Sequence, residues 1–187
     1  MSQRPSKLQN TIKRKVRKLS KEHNWQVKIL SSIQDVTDAI TQYHEVYNNS
    51  WKVNEPFPHF ITGLTITGAK YDWTRLGILS IDNTPAAAQI WLVKDGVASI
   101  YKLAYKDEFH SYSPGTILTV SLVEHVIHFD KVQTIDYLTG DDNYKKDWMQ
   151  SSRPLYGIQL CNSHSMVGMA NSLRNYVSGI KKSWSKP

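Results

Sequence analysis

The residues best suited to chemistry lie between positions 89 and 145. Ser113-Pro114-Gly115-Thr116-Ile117 opens an apolar-rich stretch that predicts a helix through Phe129. The first backbone N–H groups of a helix have no partners inside it, and the helix dipole favours negative charge there. A glycine at that point lets backbone approach a ligand, and Pro114 removes only a donor that would be spare. No acidic residue occurs from Ser111 to Val123 to repel an anion. The turn therefore reads as a phosphate-binding site, or as an ordinary helix start with Ser113 as cap. Asp136 falls inside a predicted strand, beside Ile135 and Tyr137. A carboxylate buried alone is costly, so it is either paired to a structural partner or functional towards an acceptor. Gln89 follows the small residues Ala86–Ala88. It reads as substrate-binding, where a ligand passes close to backbone, or as a polar residue on an edge strand.

Other chemistries lack their residues. His125 and His128 are spaced i,i+3, but no nearby Cys or Asp pattern completes a ligand set, so no metal is expected. No G-x-S-x-G, Walker or dinucleotide fingerprint occurs. The single cysteine, Cys161, rules out an internal disulfide and suits a reducing, cytoplasmic setting.

The elements that must position these residues follow from periodicity and turn signals. Ser6 and Gln9 have capping-box spacing, and Leu8, Ile12, Val16 and Leu19 form one apolar stripe on a basic helix. Trp25–Ile29 alternates as a strand. Ile33, Val36, Ile40, Tyr43 and Tyr47 mark a second helix, with Ser32 and Asp35 at its start. Pro58 sits in the first turn of a third helix. Arg75–Ile81, Ala86–Val93 and Val97–Tyr105 predict an antiparallel meander, joined at Asp82-Asn83 and Asp95-Gly96. After the helix from Ser113, the sequence predicts a strand Val132–Leu138, a short helix Tyr144–Met149, a last strand Pro154–Cys161 and a closing helix His164–Trp184. The class is α+β, with a meander feeding a strand–helix–strand crossover.

The chain has 187 residues, one domain's length, and a net charge of +7. That charge is local. Residues 1–28 hold nine basic residues and one acid, +8, whereas residues 29–187 hold 14 basic and 15 acidic, −1. Residues 1–24 therefore read as a basic helical arm and 25–187 as the catalytic body. Residues 4–28 could meet a polyanion, a tRNA or an anionic membrane surface, or dock their apolar stripe on the body. No run of the chain is long and apolar enough for a membrane span.

The stretch YKLAYKDEFHSYSPGTILTVSLVEHVI, followed by TIDYLTGDDNYKKDW, resembles the acyltransferase domain of the CelD/BcsL type. This is a branch of the GNAT superfamily of N-acyltransferases, related to the Fem-type aminoacyltransferases. The matching features are the Y…SPG-x-x-L loop entering a helix, D-x-x-x-G on the next strand, and YK-x-x-W. KLQNTIKRKVRKLSKEHN resembles the basic helix that begins the domain, and Trp51 fits the tryptophan near the end of its second helix. The resemblance covers about residues 5–160. Longer members carry two such domains, and this chain has room for one. The GNAT phosphate loop is richer in glycine than this one, where only Gly115 is present.

The resemblance implies a GNAT fold, a mostly antiparallel twisted sheet with splayed central strands flanked by helices. The splayed pair would be Val97–Tyr105 and Val132–Leu138. An acyl-CoA, most simply acetyl-CoA, would lay its pantetheine in the splay and its pyrophosphate on the N–H groups around Gly115 to Ile117, within a cofactor-binding turn formed by Ser113, Pro114, Gly115, Thr116 and Ile117. Tyr105 would stack on the cofactor, or pack in the core. Asp136 would orient or deprotonate the acceptor, Tyr144 would lie near the leaving thiolate, and Lys145 would serve as a point charge for phosphate. Gln89 and Trp51 would face the substrate. The expected activity is acyl transfer to an amine or hydroxyl, on a small-molecule or cell-envelope and polysaccharide-related acceptor. A Fem-like enzyme using aminoacyl-tRNA, and a nucleic-acid- or membrane-binding module, are the alternatives. A homo-oligomer or a partner GNAT domain are the expected assemblies.

Overall fold

The computed structural model describes residues 4–140 and 142–184. Residues Met1–Met149 form one compact unit and Gln150–Pro187 a second. The first unit is a five-stranded sheet with helices on both faces. Its strands are β1 (Trp25–Leu30), β2 (Thr74–Ile81), β3 (Thr84–Lys94), β4 (Val97–Tyr105) and β5 (Thr134–Asp136), in spatial order 1-2-3-4-5. The first four pair antiparallel, and β5 joins β4 in parallel. The meander predicted from the turn residues forms as expected. Asp82, Asn83, Asp95 and Gly96 all take the positive φ that tight hairpins require.

Helices α1 (Ser6–Glu22) and α4 (Pro114–His128) cover one face. Their Ile12, Leu19, Ile117, Leu118 and Leu122 share a core cluster with Leu79, Ile81 and Trp91. Gly77 on β2 admits this helix closely, because a side chain there would strike Leu118 and Leu122. Helices α2 (Ile33–Asn48) and α3 (Pro58–Lys70) cover the other face, where Val36, Tyr43, Tyr47 and Ile61 pack on Leu76, Ile78 and Ile90. Ser32 caps α2 as predicted, accepting from the Asp35 N–H.

Helix α1 is part of this body rather than a detached arm. Leu19 is fully buried, and Lys15 donates to the Ser111 carbonyl at 2.5 Å. The predicted capping box does not form. Ser6 is already helical, Pro5 occupies the cap position, and the Gln9 amide reaches back to the Arg4 carbonyl. Past β5 the chain makes a short helix α5 (Asn143–Trp148).

In the second unit, α6 (Met166–Trp184) matches the predicted closing helix within two residues. The predicted last strand does not form. Residues 154–161 take no strand, and Leu155, Tyr156, Ile158 and Leu160 are exposed. Alternating apolar residues make a strand only where a neighbour supplies ladder hydrogen bonds.

Candidate active site

Strands β4 and β5 share only three rungs, ending at Ser99 opposite Asp136. Beyond that rung β4 runs on to Tyr105 while β5 stops, so the two strands part. Ile100–Tyr105 on β4 therefore have no partner on β5. The sequence predicts a longer strand, Val132–Leu138, than the observed Thr134–Asp136. Instead Leu138 has positive φ, and its N–H bonds to the Asp136 carboxylate at 2.7 Å, which turns the chain away. Asp136 thus sits at the last rung, where it holds the turn that ends the pairing.

A β-bulge lies just inside the opening. Ile90 pairs with Lys102 and Trp91 with Ile100, so Tyr101 is the extra residue. The bulge breaks the alternation of side chains. Ile100 and Leu103 face the α4 side, whereas Tyr101 and Ala104 belong to the α2 side. Lys102 joins Tyr101 there: its ammonium lies over the Tyr47 and Tyr101 rings and pairs with Glu55 at 2.7 Å.

The predicted anion turn is built as follows. Ser113 adopts the left-handed conformation, with φ 54°, and makes no side-chain cap, while Pro114 occupies the first helical position. The Thr116 and Ile117 N–H groups both bond to the Ser113 carbonyl, at 3.1 and 3.2 Å. The Gly115 N–H is therefore the first-turn donor with no partner inside the helix, a narrower cradle than the expected Gly115–Ile117 set. Gly115 is buried under Tyr105, whose ring would lie 3.1 Å from a β-carbon at 115. Trp51 in turn lies on Tyr105, with centroids 4.4 Å apart. The structure thus brings Trp51, Tyr105, Gly115 and Ser113 together.

Gln89 is placed differently from either expectation. It lies on the central strand β3, fully buried. Its amide donates to the Gly115 carbonyl at 2.9 Å and to Thr119 Oγ1 at 2.8 Å, and its oxygen accepts from the Trp91 indole. It fastens the first turn of α4 to the sheet, so contact with substrate is corrected to a supporting role behind the turn. The reason is positional: β3 has neighbours on both sides, and its α4-facing side chains are sealed.

The loop before the turn is clamped by α1. Tyr112 donates to Glu22 at 2.8 Å, His23 bridges Tyr112 and Asp82, and Lys18 lies over the Tyr112 ring. None of these contacts is legible from local spacing.

Tyr144 is half-exposed at the start of α5, edge-on to Tyr137. Burial, then the nearby Asp142 carboxylate, raises its pKa, so the phenol keeps its proton. Lys145 is not a loose point charge. Its ammonium donates to the Thr139 carbonyl at 2.6 Å and lies 3.4 Å from Asp142, closing the loop after β5. No group of His, Cys, Asp and Glu among the described residues could hold a metal ion. No helix among them is long and apolar enough to cross a membrane.

Sequence reasoning missed the residues on the α2–α3 side. His44, Asn48, Asn54, Glu55, His59 and Thr62 line an open cleft of about 560 Å³. The Thr62 hydroxyl gives its proton to the Pro58 carbonyl, so His44 Nε2, 2.8 Å away, is the donor between them. That leaves Nδ1 unprotonated. Burial is the largest influence on His44 and lowers its pKa, which keeps the ring neutral. A helix-spaced histidine gives no such signal until α3 packs beside α2.

The chain matches the family model described as an acetyltransferase (GNAT) domain over residues 6–146. Its fold is similar to that of aminoglycoside N-acetyltransferase AAC(6')-Iy in complex with CoA, at 9% identity, with 74% of this chain and 97% of that chain covered and a TM-score of 0.54. A structure described as a possible acetyltransferase from Clostridium difficile 630 aligns at 7% identity over 74% of this chain and 99% of that one, with a TM-score of 0.53. The ribosomal-protein-S18-alanine N-acetyltransferase from Escherichia coli is matched at 13% identity over 55% of this chain and only 59% of its own length, with a TM-score of 0.45. No curated protein sequence matches the chain significantly. The family match runs from α1 into α5 and takes in the whole sheet, the bulge and the turn, and the chain therefore belongs to the GNAT acetyltransferase domain family.

Proposed function

We propose that this protein is an acyl-CoA-dependent N-acyltransferase, with acetyl as the simplest acyl group. The observation that carries this reading is the parting of β4 and β5 immediately beside a bulge and a buried glycine turn. The opening offers unpaired strand backbone to an extended pantetheine arm. The Gly115 N–H and the α4 dipole suit a pyrophosphate, and Trp51 and Tyr105 supply ring faces. Acyl-CoA brings an activated carbonyl and a thiol leaving group.

The protein's own groups then divide the proton work. Backbone N–H groups of β4 near the bulge orient and polarise the carbonyl. The neutral His44 imidazole, in the cleft on the α2 side, takes the acceptor's proton through Nδ1. Tyr144, held protonated, gives a proton to the departing sulfur. Asp136 and Lys145 shape the far wall of the opening by fixing the turn after β5.

Calorimetry with acetyl-CoA tests the reading directly. Micromolar binding is expected, and Gly115→Asp should weaken it at least tenfold by placing a carboxylate at the anion turn. Tyr144→Phe should lower kcat roughly 100-fold, the usual scale for losing a general acid, with acetyl-CoA affinity unchanged. Tight aminoacyl-tRNA binding without acyl-CoA binding would instead favour the Fem-like donor.

A further inference from the structure

Helix α1 has two unlike faces. Its apolar stripe is used up inside the body: Ile12 and Leu19 are buried in the core, and Leu8 and Val16 pack against it. Lys7, Lys13, Arg14, Arg17, Lys18 and Lys21 are all exposed. At about 3.6 residues per turn, these cations fall on the side of the helix opposite the stripe.

That outer face works against the helix that carries it. Lys13 and Arg17, Arg14 and Lys18, and Arg17 and Lys21 each set like charges four residues apart, a spacing that destabilises a helix. The acid of α1, Glu22, lies 4.0 Å from Lys18 and already accepts from Tyr112. Among the described residues, no carboxylate lies within ion-pair distance of Lys7, Lys13, Arg14, Arg17 or Lys21. The buried Leu19 and the Lys15 bond to the Ser111 carbonyl hold the helix in place despite this repulsion. The surplus is also not a general property of the surface, because residues 29–187 sum to −1. A self-repelling face kept in place by tertiary contacts departs from ordinary charge pairing in the way that binding faces do.

We propose that the outer face of α1 seats the protein on an anionic lipid bilayer by charge alone. The apolar residues of α1 face the core, so the helix has none left to insert among acyl chains or base steps. It contains no aromatic residue to stack on a base. From Lys7 to Lys21 the cations run about 21 Å along the axis, at about 1.5 Å per residue. A straight convex row of this kind meets a flat layer of headgroups along its whole length, whereas it meets a rounded duplex at one crossing. Each Lys or Arg at an anionic leaflet adds to the attraction, and the sum falls off within a Debye length. Such a seat does not depend on acyl transfer.

Co-sedimentation of the full chain with vesicles tests this. Binding is expected to vesicles of phosphatidylglycerol and phosphatidylcholine in equal parts, and not to phosphatidylcholine alone. It should vanish at about 1 M salt, where the Debye length is about 3 Å. Arg14→Gln, Arg17→Gln and Lys21→Gln should each weaken it about fivefold. The same variants should keep or raise the thermal midpoint, since each removes a like-charge pair, and they should leave acetyl-CoA binding unchanged. No binding to the anionic vesicles overturns the proposal. Binding that survives 1 M salt or the combined triple variant also overturns it, and assigns the contact to exposed apolar residues such as Met166 and Leu173. Tighter binding to a duplex RNA than to the anionic vesicles, lost in the same variants, overturns it in favour of nucleic acid.

Discussion

Trp51 lies on Tyr105 with ring centroids 4.4 Å apart, and Tyr105 lies directly on Gly115. An aromatic from the α2–α3 loop is thereby tilted over the ring that covers the first turn of α4. The loop is held there by the Asp107 N–H, which reaches the Asn49 carbonyl. Trp51 is half-exposed, so its ring pair contributes only about 1 kcal/mol to stability. Trp51→Ala should therefore leave the thermal midpoint within a few degrees of wild type. It should raise the KM for acetyl-CoA severalfold, because the loop loses its anchor over the opening. Steady-state kinetics beside a melting curve separates the two effects.

Gln89 serves three partners at once: Gly115, Thr119 and Trp91. Gln89→Leu leaves the Trp91 indole N–H buried and unpaired, at a cost of about 1–3 kcal/mol. The Gly115 carbonyl keeps its bond from Thr119. Adding Trp91→Phe removes the orphaned donor, so the double variant should recover part of the loss despite its smaller ring. Urea unfolding of the four chains measures this. Equal or additive losses would show that the amide is not what binds the indole.

Lys52 has a pH signature of its own. A lysine whose folded pKa lies below its unfolded value binds its proton more readily in the unfolded chain. It therefore weakens the fold below the folded pKa, and the penalty fades as pH rises towards the ordinary value of 10.5. Lys52→Met should raise the thermal midpoint at pH 7, and the gain should shrink steadily as pH approaches that value. A gain that is constant with pH would mean the methionine simply packs better.

Short-range patterns in the chain account for the local pieces. Turn residues placed both hairpins, periodicity placed the helices, and Pro114-Gly115 marked the start of α4, because each depends on backbone preferences within a few residues. The family resemblance on Tyr101–Trp148 pointed to the splayed pair. The remaining features depend on neighbours far apart in the chain. The bulge at Tyr101 arises from its pairing with β3, and it turns Lys102 towards Glu55. Gln89 proved to be an interior fastener because β3 is central, a position that no local pattern reveals. The strand expected at 154–161 did not form, since alternation supplies a face but not a partner. His44, Glu55 and Lys52 gained meaning only once α2, α3 and the ends of β4 and β5 met. Charge balance and hydrogen-bond partners belong to the packed arrangement, and a linear sequence does not contain them.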